Sequence, residues 1–266
     1  MSKPSVHITP VGSGNVVLLS GGGKVFTDTA ARFCRSEKSL EDIVGAPYDK
    51  RLVERILQND HLSAMEFDYF VFGVEGYSRV CETQLVRKRH GSYLIKSGRA
   101  EKHGKRSFDV VLPASVVGVK TEMTVNLSNG DSVCVPVGVE EILKILNAWY
   151  EQGVEDGVPE EDLRYLKPQA TEFKAIIGMN AHALMDFFYR RCCNCAQSEI
   201  RDLANKMLRL CKEAAPDLFA HAGAPCKRLG YCPENDFQCT QFKGKVPTHH
   251  DLNDMIQTWR NEHDKA

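Results

Sequence analysis

Arg87-Lys88-Arg89-His90-Gly91-Ser92-Tyr93-Leu94-Ile95-Lys96-Ser97-Gly98-Arg99 is the stretch on which the reading of this chain turns. Two arginines stand two residues apart, and Ser97-Gly98-Arg99 follows after seven more residues. A guanidinium presents its donors as a planar fork that fits phosphates and nucleobase edges. The serine adds a hydroxyl, and the glycine lets backbone approach a ligand closely. Read alone, the stretch fits two roles. It is either a grip on an anionic, phosphorylated ligand or the solvated end of a basic helix.

Upstream, a predicted helix starts at Ser78 and runs into this stretch, which puts Gln84 and Arg87 three apart on one face. Ahead of it, His61-Leu62-Ser63-Ala64-Met65-Glu66 reads as a polar turn before a strand over 67–74, rich in Phe, Tyr and Val. A short β-branched strand over 16–19 stops at Gly21-Gly22-Gly23. That glycine run with Lys24 lacks the spacing and the Ser/Thr of a phosphate loop, so it reads as a turn. Helices are predicted over 30–34 and 49–58.

Downstream, strands are predicted over 108–112 and 124–135, the second broken by the hairpin signal Asn129-Gly130. A helix over 139–152 is expected to end at Gly153, and Pro159 to open another. The segment 171–211 reads as one long helix. Within it Asn180 and Arg191 share a face at about 100° per residue, with His182 and Asp186 on the adjoining strip. Ala183, Leu184, Phe187 and Phe188 pack inward and set Arg191 beside the core, where it requires an anion or acceptors; Glu199 is a structural candidate. The tail carries Cys226, Cys232 and Cys239, then His249 and His250. These cysteines form no tight Cys-x-x-Cys pair, so no metal is assigned. A last amphipathic helix around Leu252, Met255, Ile256 and Trp259 is expected to pack on the body.

The bulk composition narrows the classes. Among 266 residues, 34 basic and 35 acidic side chains nearly cancel, which argues against a general nucleic-acid or membrane-surface binder. No apolar run approaches the roughly 20 residues of a membrane helix. Met1-Ser2-Lys3-Pro4 leads into polar residues with no secretory core, so the ten cysteines read as reduced thiols of a cytoplasmic protein. With no repeat or linker, 1–266 reads as a single domain.

Read together, the separated pieces resemble the flavin-dependent thymidylate synthases. Gln84-x-x-Arg87-x-Arg89, seven residues and Ser97-Gly98-Arg99 are similar to the family's Arg-His-Arg signature and the serine beyond it. His61-x-Ser63-x-x-Glu66 looks like the segment upstream of that signature. Asn180-Ala181-His182-Ala183-Leu184-Met185-Asp186-Phe187 with Arg191 and Ala196-Gln197-Ser198-Glu199-Ile200-Arg201 resembles its C-terminal helix. The chain departs from the pattern at Lys88, Ile95, His182 and Cys195.

The resemblance implies an α/β fold with a mostly antiparallel central sheet, flanking long helices, and a homotetramer whose active sites form where subunits meet. It implies reductive methylation of dUMP to dTMP, with methylenetetrahydrofolate as carbon donor and FAD reduced by NADPH. By the same carry-over Arg191 is the catalytic residue, bound to the uracil. Gln84, Arg87, Ile95, Lys96, Ser97, Gly98, Arg99 and Arg164 join it in holding the nucleotide. His61, Ser63, Glu66, Arg87, Lys88, Arg89, Asn180, His182 and Asp186 hold the flavin. Three rivals remain: a flavoenzyme alkylating another pyrimidine nucleotide such as UMP, a non-catalytic nucleic-acid binder using the basic run 87–106, and a metal-stapled module.

Overall fold

The computed structural model describes residues 6–23, 25–97, 108–234, 239 and 246–263. In chain order they form β1 (Ile8–Pro10), β2 (Asn15–Ser20), α1 (Thr27–Arg35), α2 (Leu40–Gly45), α3 (Lys50–Gln58), a 3-10 turn (Leu62–Phe67), β3 (Tyr69–Ser78), α4 (Arg79–Leu85) and β4 (Ser92–Ile95). There follow β5 (Val110–Leu112), α5 (Ala114–Val117), β6 (Lys120–Asn126), β7 (Ser132–Gly138), α6 (Val139–Glu155), α7 (Glu160–Leu163) and a 3-10 turn (Arg164–Leu166). The chain continues with β8 (Glu172–Asn180), α8 (Ala181–Arg191), α9 (Ser198–Ala214), α10 (Pro216–Phe219), α11 (Pro225–Leu229) and α12 (His249–His263). This is the mixed α/β architecture expected. The strands pair as β2-β3-β8-β4, as the parallel pair β1-β5 and as the antiparallel hairpin β6-β7.

Two compact units emerge. The first draws on Met1–Asn15, Gly73–Arg87 and Tyr93–Ile176; the second on Val16–Phe72, Lys88–Ser92 and Ile177–Ala266. The core of the first gathers Phe108, Val110, Leu112, Leu143, Tyr150 and Leu163, with Phe108 and Tyr150 edge to face at 6.2 Å. Buried Asn147 answers a loop donor there, accepting from the Phe108 N–H at 3.4 Å. The second unit is cored by aromatics: Phe219 meets Phe70 at 5.3 Å and Phe188 at 6.0 Å, both edge to face.

Four sequence expectations are corrected. Residues 172–180 are a strand, not the start of a long helix. Phe173, Ala175, Ile177 and Met179 are all buried while Lys174 and Ile176 face out, a period of two that a helix cannot satisfy. The rest of that segment is two helices, α8 and α9. The helix from Ser78 stops at Leu85, so Arg87 lies in the turn beyond it and shares no helix face with Gln84. Gly153 lies inside α6 rather than ending it. Its missing side chain leaves room for Leu163, since a Cβ there would sit 2.3 Å from a Leu163 methyl. Finally, α12 does not bury its apolar strip: Met255 is 65% and Trp259 59% exposed.

Candidate functional site

In the first unit an open cleft of about 570 Å³ collects the polar residues nearest the opening stretch. Strand β4 delivers Lys96 and Ser97 to its wall, and the Lys96 N–H bonds the Lys174 carbonyl at 2.8 Å. The 3-10 turn at Arg164 supplies a guanidinium to the same cleft. Two ties fix the start of α4 alongside: Arg79 N–H to the Thr171 carbonyl (3.0 Å) and Val80 N–H to the Gln169 carbonyl (3.2 Å). The lining carries five basic side chains, Arg79, Lys96, Arg164, Lys167 and Lys174, against three acidic ones, Glu82, Asp109 and Glu172, so it is net cationic, and Ser97 offers a hydroxyl beside them. That combination suits a phosphorylated ligand.

Sequence reasoning missed Arg79, Lys167 and Lys174. Arg79 pairs with Glu82 across one turn of α4, a spacing visible in the sequence but shared by ordinary surface pairs. Of the other nucleotide residues, Gln84 is half-buried on α4, Ile95 is half-buried on β4, and Arg87 is exposed. Gly98 and Arg99 lie outside the described residues, as does most of the basic run beyond them.

In the second unit the residues assigned to the flavin fall into two linked groups. Asn180 caps α8: its side chain accepts from the Ala183 N–H at 2.8 Å. From that cap, His182 and Asp186 point along one side of the helix. His182 Nδ1 stands 3.1 Å from a Glu66 carboxylate oxygen. Lys88 Nζ donates to Asp186 at 2.7 Å, and Arg190 Nε donates to its other oxygen at 3.0 Å. Burial works against the Asp186 charge, but the hydrogen bonds from Lys88 and Arg190 outweigh it and hold the carboxyl below its ordinary range. Lys88 thus connects the opening stretch to α8. Arg89 is exposed.

The second group lines a groove of about 680 Å³ between α1, α3 and the turn at Leu62–Phe67. His61, Ser63 and Glu66 lie along it, with Leu52, Ile56 and Phe67 as apolar walls and Arg32, Arg35 and Arg55 as cations. His61 Nδ1 stands 3.2 Å from an Arg35 guanidinium nitrogen. An apolar slot with hydroxyl, carboxylate and guanidinium groups at hand fits a flat aromatic cofactor carrying phosphates. Arg191 ends α8, half-buried; Asn180 and Arg191 therefore stand at opposite ends of one helix, roughly 16 Å apart along its axis. Glu199 is 2% exposed in the first turn of α9, whose cap is the Gln197 side chain. Cys192, next to Arg191, is a buried thiol that burial pushes up to about 12, so it is not a thiolate at neutral pH.

Residues 21–217 match the family described as thymidylate synthase complementing protein. The chain is 37% identical over 213 residues to the flavin-dependent thymidylate synthase of Geobacter sulfurreducens, covering 79% of this chain and 86% of that protein. It is 38% identical over 192 residues to the enzyme of the same description from Nitratidesulfovibrio vulgaris, covering 71% and 75%. Among solved structures it superimposes on a UMP/dUMP methylase from Streptomyces cacaoi bound with 5-Br dUMP. The TM-score is 0.63 with 18% identity, over 81% of this chain and 96% of that one, a likeness of fold. Among the described residues, no helix is long and apolar enough to cross a membrane.

Proposed function

The chain belongs to the thymidylate synthase complementing family, the flavin-dependent thymidylate synthases, and we propose that it methylates dUMP to dTMP as its relatives' shared name describes. The observation that carries this reading is the pairing of that kinship with a cationic cleft holding Lys96, Ser97 and Arg164. Lys96 and Arg164 neutralise the 5′-phosphate, and Ser97 donates to one of its oxygens. The resemblance adds Gln84, Arg87 and Ile95 to the nucleotide's ligands and, outside the described residues, Gly98 and Arg99.

The second unit fits FAD in the chemistry of its donors. His61, Ser63 and Glu66 line an apolar slot, Lys88 and Asp186 form a held pair, and His182 meets Glu66. Arg87, Arg89 and Asn180 join these as flavin ligands. These residues would hold FAD, which after reduction by NADPH would supply a hydride to complete the methyl group, with methylenetetrahydrofolate as the carbon donor. The chain's own contribution to the chemistry is Arg191. A guanidinium stays protonated throughout and is preorganised for the negative charge that develops on the uracil ring. No thiol nucleophile is needed, in keeping with the neutral Cys192.

We read the chain as one domain, because it passes repeatedly between the two units and neither is a continuous segment, and we place it in the cytoplasm, whose reducing conditions suit ten free cysteines. A homotetramer is part of the same proposal. Phe67 at 71% and Tyr165 at 83% exposure are apolar surface of the kind that subunit packing covers.

The test begins with a visible spectrum of the purified protein, which should show bound oxidised flavin. NADPH should bleach it, and product analysis with dUMP and UMP side by side should give dTMP. A colourless protein that cannot be loaded with FAD overturns the reading, and methylation of UMP alone reassigns the substrate. Ser97→Ala should weaken dUMP binding roughly ten- to hundredfold, the worth of one hydrogen bond to a charged acceptor, about 1.5–3 kcal/mol. Unchanged affinity would remove Ser97 from the phosphate site.

A further inference from the structure

The hairpin of β6 and β7 belongs to the first unit and takes no part in its cleft. Among the described residues β6 pairs only with β7, and every residue of β6 except Val125 is exposed. One pair beyond the strand ends, the Leu127 N–H bonds the Asp131 carbonyl at 2.8 Å, in the same register as the ladder. Antiparallel pairs alternate between hydrogen-bonded and non-hydrogen-bonded. Thr121, Met123 and Val125 therefore turn their backbone groups toward β7, while Lys120, Glu122, Thr124 and Asn126 turn theirs outward. The far edge of β7 is blunted. Pro136 lies opposite Glu122, so it belongs to the outward set, and it has no N–H to offer. The open edge is that of β6.

The side chains alternate just as strictly. Thr121, Met123 and Val125 share one face with Val137, Val135 and Val133, their partners across the ladder. That face is apolar and only part covered, with Met123 41% and Val133 43% exposed. A two-stranded ribbon of this kind is marginal by itself, whereas three or more strands sharing an apolar face are stable. The opposite face is polar. It carries Lys120 and Glu122, a cation and an anion at mirror positions about Thr121. Among the described residues the Glu122 carboxylate meets the Cys134 thiol at 3.5 Å, a weak donor.

We propose that β6 pairs antiparallel with β6 of a second copy of this chain, about a two-fold axis at Thr121. Lys120 then stands opposite Glu122 of the partner subunit, and Glu122 opposite Lys120 of the partner subunit. Both residues turn their backbone groups outward, so each pair exchanges N–H···O bonds as well as joining opposite charges. Moving the axis to Glu122 would set two carboxylates face to face. Moving it to Met123 would leave Lys120 opposite an asparagine and make the two Glu122 carboxylates diagonal neighbours. Charge therefore selects Thr121. Residues that face each other across an antiparallel pair lie on the same side of the sheet, so the joined hairpins form four strands with one continuous apolar face. The contact adds detail to the homotetramer proposed above and does not depend on the reaction.

Two measurements on the full-length protein test it. Thr121→Cys puts a thiol opposite its own copy at a non-hydrogen-bonded position, where Cα atoms lie about 4.5 Å apart, within disulfide range. Mild oxidation should link these chains 121 to 121, read by peptide mapping, and should form no self-link in Met123→Cys. Light scattering over a dilution series reads the charge pairs. Glu122→Lys should drop to half the wild-type mass at concentrations at least tenfold above those at which wild type does so. The swap Lys120→Glu/Glu122→Lys should restore wild-type assembly. Both side chains are exposed, so the far-ultraviolet dichroism of each variant should match wild type. The proposal is overturned by a monomeric wild type, by absence of the 121–121 link, by a self-link in Met123→Cys, or by a charge swap that fails to restore assembly. A tetramer that Glu122→Lys leaves intact overturns this contact while the homotetramer stands.

Discussion

Arg191 ends α8 beside Cys192, a thiol that burial pushes up to about 12, so the position offers a permanent cation. Arg191→Ala should lower turnover by about 10²–10³, the cost of losing one preorganised charge-stabilising group. Arg191→Lys, which keeps charge but loses the fork, should recover only part of it. Bound flavin measured by absorbance should persist in both, and an Arg191→Ala enzyme with normal turnover would exclude the assignment. Asp186 carries a pH prediction. Its carboxyl is held below the ordinary value by Lys88 and Arg190, so its contribution is complete above about 3.9 and is lost as pH falls through the lower folded value. Melting temperatures of wild type and Asp186→Asn should differ near neutrality and converge below about pH 4. A gap that widens in acid would show the pairing has been misread. Ser97 was legible in the sequence as a candidate because its chemistry is local, and it lines the cleft. Arg79 was not, because only the ties to Thr171 and Gln169 set it against the cleft.

At the scale of elements, α1 lacks a side-chain cap of its own. Asp68, forty-one residues on from Thr27, caps it instead by accepting from the N–H groups of Phe26 and Thr27 and from the Thr27 hydroxyl. Asp68→Ala leaves those donors without their acceptor, each buried one costing about 1–3 kcal/mol. Denaturant unfolding should show a loss of at least ~2 kcal/mol, and a neutral result would mean water replaces the carboxylate. Gly153→Ala tests α6. The added methyl meets Leu163, itself 1% exposed, so overpacking should cost about 1–3 kcal/mol even though alanine favours a helix. A raised melting temperature would show that Leu163 can move. The sequence reading placed the Asn129-Gly130 hairpin and α3 correctly, since the turn residues and the Asp49 cap act within a few positions. It misjudged 172–180 because alanine, lysine and glutamate there favour a helix, whereas burial between neighbouring strands imposes a period of two.

For the whole molecule, the family and the mixed α/β class could be read from residues alone, through the resemblance of separated motifs to those of the flavin-dependent thymidylate synthases. The gathering of those motifs could not. Lys88 meets Asp186 across ninety-eight residues, and Glu66 meets His182 across one hundred and sixteen. Local chemistry and periodicity are encoded at short range and survive in a string of letters. Which distant groups share a cleft is set by how the strands and helices bury their apolar faces, and that balance exists only in the folded chain.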